Sequence, residues 1–102
     1  MAVDEAGLAE AQADLVAWGL LDDGVPVQVS RRGRAALARA AAFLREEEVQ
    51  GRPREGHPLL LTAEIAIAAA LPEGASATVE HHRLLAAVEL ASLPEGVRGM
   101  FT

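Results

Sequence analysis

The run from Leu15 to Leu37, LVAWGLLDDGVPVQVSRRGRAAL, constrains the fold more than any other part of the chain. Just before and into it, Leu8, Ala11, Leu15 and Trp18 recur at i, i+3, i+7 and i+10, which predicts a helix capped by Asp4 and ending near Trp18. Glu5, Glu10 and Asp14 lie off that stripe. Gly19 suits the left-handed position just past a helix end, Leu20 and Leu21 then lead away in extended form, and Asp22-Asp23-Gly24 reads as a turn. Val25–Ser30 alternates with period two, placing Val25, Val27 and Val29 on one face, and Pro26, which has no N–H to donate, makes it an edge strand. Pairing Leu20–Leu21 with Val25–Ser30 gives a short hairpin. Ser30 then caps a helix over about Arg31 to Val49, with Leu37, Ala40, Ala41 and Leu44 as its apolar stripe, widened by Phe43. Glu46, Glu47 and Glu48 fall in the last turn, where the helix dipole disfavours acids, so that end is predicted to be frayed or solvated.

The segment from Gly51 to Pro58 is a loop by composition and divides the chain. Beyond it, Leu59-Leu60-Leu61 enters a helix capped by Thr62 and running to about Leu71. A last helix spans about Thr78 to Ser92, with His81, Leu84, Leu85, Val88 and Ala91 on one side. The tetrapeptide Leu-Pro-Glu-Gly follows both helices, at 71–74 and at 93–96, either as a duplicated helix-turn unit or as shared helix-stop chemistry. The expectation is a single domain over 1–102, with a helix-hairpin-helix half (1–50), a loop (51–58) and a two-helix half (59–102). Its fold class is α+β and mostly helical. Of the apolar residues, 22 are alanine, and there are only three aromatics, so the core is thin and favours close helix packing.

Composition narrows the function classes. There is no cysteine, which excludes disulfides, thiolate metal sites and cysteine nucleophiles. There is no lysine, so Schiff-base chemistry is excluded as well. No stretch reaches the roughly 20 apolar residues of a membrane span, and the first ten residues are acidic where a signal peptide is basic. A cytoplasmic protein without membrane contact is expected. The net charge of −6 is uneven: residues 1–24 carry six acids and no base, while 25–58 carry seven arginines against four glutamates. Adjacent helical histidines point about 100° apart, so His81 and His82 do not readily chelate one metal ion. No nucleophile-elbow, phosphate-loop or dinucleotide glycine pattern is present. Neither catalysis nor a cofactor is expected.

From Leu15 to Arg45 the chain resembles the recognition-helix, wing and following-helix half of a winged-helix domain, as in PadR-like and MarR-like regulators. The residues that carry the likeness are Gly19-Leu20-Leu21 at the helix end, Asp22-Asp23-Gly24 in the turn, and Ser30-Arg31-Arg32-Gly33 opening the long helix. The resemblance implies a winged-helix-like frame with two further helices, and a role in transcription regulation. Two features depart from the family. The helices that precede the recognition helix have to come from residues 59–102 or from a partner chain, if they exist. The helix in the recognition position carries Glu5, Glu10 and Asp14 and no arginine, so phosphates repel it.

Arg31, Arg32 and Arg34 cluster at a helix N-terminus and are the candidate contacts for DNA or another anion; the alternative is a solvated basic patch that balances the acidic first helix. Ile65, Ile67 and Leu71 are the candidate dimer interface. Ile65 and Ile67 lie about 200° apart on a helix that is apolar all round, which asks for cover on more than one side. The expected function is a small regulatory module acting by protein–protein contact and self-association as a homodimer, with weak arginine-mediated DNA contact. A larger regulatory protein is a second candidate partner. The alternative is an assembly module with no nucleic-acid role.

Overall fold

The computed structural model describes residues 5–99 and contains, in order, α1 (Glu5–Ala17), β1 (Leu21–Asp22), β2 (Gln28–Val29), α2 (Arg31–Val49), α3 (Pro58–Ala70), α4 (Val79–Ser92) and α5 (Glu95–Arg98). The fold is mostly helical with one small antiparallel sheet, in which Leu21 pairs with Val29 and Asp22 with Gln28. The expected Asp4 cap lies outside the described residues.

The end of α1 is built from backbone bonds that the sequence foreshadows. Gly19 has φ +81°, its N–H donates to the Val16 carbonyl at 3.0 Å, and the Leu20 N–H donates to the Leu15 carbonyl at 2.9 Å. This pair of bonds is a Schellman closure, and Leu15 and Leu20, the residues it brings together, are both fully buried. Ser30 then ties three segments together. Its hydroxyl donates to the Gly19 carbonyl at 2.6 Å and accepts from the Gly33 N–H at 2.8 Å, while its own N–H donates to the Leu20 carbonyl. At Gly33 the first turn of α2 presses on the Leu20 backbone so closely that a Cβ would collide with the Leu20 carbonyl oxygen and stand 2.9 Å from Val29 Cγ1.

The hairpin is shorter than the valine alternation predicts. Only Val29 is buried, Val27 is half-buried, and Val25 is fully exposed beside a cis Val25–Pro26 bond. Without a ladder, nothing holds residues 25 and 27 to a common face. The far end of α2 is solvated rather than frayed: Glu46, Glu48, Val49 and Gln50 are exposed, yet the last turn holds. The Gly51 and Arg52 amides close onto the Glu48 and Glu47 carbonyls, and Arg52 Nε bonds the Glu47 carboxylate at 2.8 Å. The stripe of α2 also shifts: Ala36, Leu37 and Ala40 are buried, Leu44 is half-buried, and Ala41 and Phe43 face solvent.

Helix α3 begins earlier than Thr62. Pro58 occupies its first turn, where a missing N–H costs nothing, and His57 is the N-cap, its Nδ1 accepting from the Leu59 N–H at 3.2 Å. Thr62 sits inside the helix and donates to the Pro58 carbonyl at 2.7 Å. The two Leu-Pro-Glu-Gly copies share only their helix-stopping leucine-proline step, with Leu71 and Leu93 both extended. Past it, Gly74 takes φ +82° in a turn, whereas Glu95 and Gly96 begin α5.

Helix α3 packs against α2 on one side and α4 on the other, and α4 continues onto α1 and β2. Leu15, Leu20, Ile67 and Leu85, one large side chain from each of α1, the α1–β1 link, α3 and α4, are fully buried where these elements meet. Among the described residues no helix is long and apolar enough to cross a membrane.

Candidate functional site

An open groove runs along α2 between that helix, the 51–57 loop and α3. Its floor comes from one face of α2: Leu37, Ala41, Leu44 and Glu48 follow at i, i+4, i+7 and i+11 and span about 16 Å of helix. Leu59 and Leu61 of α3 and Pro53 of the loop line it as well. The groove encloses about 640 Å³. Arg34 and Arg45 rise from α2 at its edges and Arg54 from the loop, where its guanidinium lies 5.2 Å from the Phe43 ring centre in a cation–π contact. Glu89 reaches in from α4, and its buried Oε2 has no hydrogen-bond partner among the described residues. The groove exists because α2 carries alanine at 38 and 41: small side chains leave space that a leucine at either position would fill.

The three arginines expected to contact an anion do not act as one unit. All are exposed, and among the described residues none has an ion pair. Arg32 lays its stem beside Gly19, and Arg34 belongs to the groove. The Gly33 N–H, a donor that a bound anion would use, is already taken by Ser30. On α1, the outward-facing positions Ala9, Glu10, Ala13 and Ala17 offer no base.

Ile65, Ile67 and Leu71 are distributed differently from the expected interface. Ile67 is fully buried by the chain's own elements, and Ile65 and Leu71 are half-buried against the same core. The cover that an all-apolar α3 demands is supplied by α2 and α4, leaving Ala68 and Ala69 exposed.

His81, which the sequence places on one side of its helix with Leu84, Leu85 and Val88, is buried and bonded at both ring nitrogens. The Thr78 N–H donates to His81 Nδ1 at 3.0 Å, which leaves the ring proton on Nε2, and Nε2 donates to Asp14 Oδ2 at 2.8 Å. The ring also stacks on Trp18 at 4.7 Å between centres. With the Thr78 hydroxyl 2.8 Å from Nδ1, carboxylate, imidazole and hydroxyl line up in the order of a nucleophilic triad. Yet the single lone pair on Nδ1 is occupied by the Thr78 amide, and the hydroxyl also bonds the Glu80 carboxylate, which is thereby held below its ordinary range together with help from its own backbone N–H as the larger cause. The ring therefore has no vacancy for the hydroxyl proton. The arrangement fastens α4 to α1. His82 stands 4.0 Å from Glu64, at the limit of an ion pair, and among the described residues no three acids, histidines or cysteines gather as a metal site would require.

Sequence reasoning missed the groove because it forms between helices whose relative placement no periodicity encodes. The His81 bond did leave a trace: Thr78 followed at the third helical position by a side chain able to accept from its amide is the spacing of a capping box, with histidine in place of glutamate. Comparisons with protein-family models, with curated proteins and with solved structures give no match.

Proposed function

We propose that the chain is a small regulatory module that acts by protein–protein contact through the groove along α2, on a winged-helix-like frame and with only weak arginine-mediated contact to DNA. The observation that carries this reading is the solvent-open, leucine-lined groove edged by Arg34, Arg45 and Arg54. A face of this kind, apolar at its centre and charged at its margin, has the anatomy of a protein interface. What supports the winged-helix element of the proposal is that α4, from residues 59–102, lies against α1 and β2. Homodimerisation enters the reading only through a surface other than Ile67, which is inaccessible.

A second reading, an assembly module with no nucleic-acid role, is favoured by the base-free outer face of α1. Fluorescence anisotropy on a labelled duplex separates the two. The first expects micromolar or weaker, sequence-tolerant binding that falls steeply with salt, and Arg31→Ala with Arg32→Ala lowering the slope of log K against log salt by about 0.9 per lost phosphate contact. The second expects no binding at low salt. Nanomolar binding of one specific site near physiological salt would refute both.

A further inference from the structure

We infer that the groove along α2 takes an acidic amphipathic helix of about three turns from a different protein, an inference that rests on the reading of this groove as the interaction surface. Three observations select that occupant. The first is shape: the α2 face from Leu37 to Glu48 extends for about 16 Å, the length of three helical turns, and Ala38 and Ala41 let a second helix approach closely. The second is volume. A space of about 640 Å³ between leucines is filled by several large aliphatic side chains repeating at i, i+4 and i+7, the pattern of a helix laid in a groove. The described residues of this chain offer nothing of the kind to a second copy: the exposed face of α1 is alanine and Glu10, and the exposed large apolar residues Val25, Phe43, Val49, Val79 and Val97 are scattered singly. The third is charge. Of the charged side chains that line the groove, Arg34, Arg45 and Arg54 outnumber Glu48 and Glu89, so carboxylates on the incoming helix are favoured over ammonium groups.

The test uses three fluorescein-labelled, helix-forming synthetic peptides of equal length: one with leucines at the groove spacing and glutamates beside them, one with lysines in place of those glutamates, and one with serines in place of the leucines. Each is titrated by anisotropy against the full chain and against Ala41→Glu and Arg45→Glu. Both positions are exposed, and circular dichroism checks that both variants keep their helix content. The acidic peptide is expected to bind at least tenfold more tightly than either of the others. Ala41→Glu should weaken it about thirtyfold and Arg45→Glu about tenfold. If the lysine peptide binds as well and Ala41→Glu abolishes that binding too, the groove is an interaction surface but its partner is not acidic, and the inference falls alone. Should no peptide respond to Ala41→Glu, the inference and the groove reading fall together. A change of molecular mass with concentration that Ala41→Glu removes, with no peptide bound, would give the groove to a second copy and overturn the inference.

Discussion

Replacing Gly33 by alanine sets two effects of opposite sign against each other, and the structure decides between them. Inside a helix, glycine to alanine ordinarily stabilises by about 0.5–1 kcal/mol, because the unfolded chain loses freedom. At Gly33 the new methyl would overlap the Leu20 carbonyl oxygen and stand 2.9 Å from Val29 Cγ1. The first obstacle is backbone, fixed by the Schellman closure of α1 and by the Ser30 N–H, and cannot rotate away. Forcing α2 outward would also stretch the Gly33 N–H bond to Ser30. Overpacking of this kind costs roughly 1–3 kcal/mol or more, so the net change is a loss of about 2 kcal/mol from a total of about 5–15 kcal/mol for a domain this size. The melting temperature should fall by roughly 10 °C, with the urea midpoint lowered and the m-value unchanged. Gly96→Ala, also in a helix but where a Cβ meets nothing within 4 Å, is the control and should lower neither the melting temperature nor the urea midpoint. A Gly33→Ala protein that melts at or above the wild-type temperature would refute the close-approach argument.

Three further outcomes are expected. His81→Phe keeps a ring against Trp18 but forfeits the bonds to Asp14 and the Thr78 amide, and should cost about 1–3 kcal/mol in urea unfolding followed by Trp18 fluorescence. Ile67→Ala should cost about 2–5 kcal/mol with no change of molecular mass in sedimentation, since Ile67 is buried within one chain. The Glu80 carboxyl is held below its ordinary range by its own backbone N–H and then by Thr78, so its contribution is present in full above the ordinary glutamate value and is lost as pH falls through the lower folded value; Glu80→Gln should flatten that acid limb of the stability curve and leave the alkaline side unaltered.

Elements whose reasons are local were legible in the sequence. Gly19 as a left-handed cap, Ser30 as an N-cap, the span of α2 and the start of α4 all depend on residues within a turn of one another, and the structure has them where the sequence puts them. The valine alternation misled because a strand is defined by its partner: β1 is two residues long, so Val25 had nothing to pair with. At the α2 end the dipole argument left fraying and solvation open; Arg52, which arrives from beyond the helix to pair with Glu47, decides for a solvated turn that stays closed. The groove, the burial of Ile67 and the Asp14–His81 bond each join residues far apart in sequence, and only the assembled fold brings them together.

The way α4 lies across α1 also determines when this protein becomes a protein. Asp14 waits 67 residues for His81, and Leu15 and Leu20 belong to a core cluster that Leu85 of α4 joins only later in the chain. Helices form in well under a millisecond on their own, yet here the closing contact needs a loop spanning most of the chain, and loop closure of that length is what slows folding. During synthesis the α1–hairpin–α2 unit leaves the ribosome first with an uncovered leucine face, so it depends on α4 emerging behind it, and a single cut in the 51–57 loop would leave two pieces that each lack half of one core.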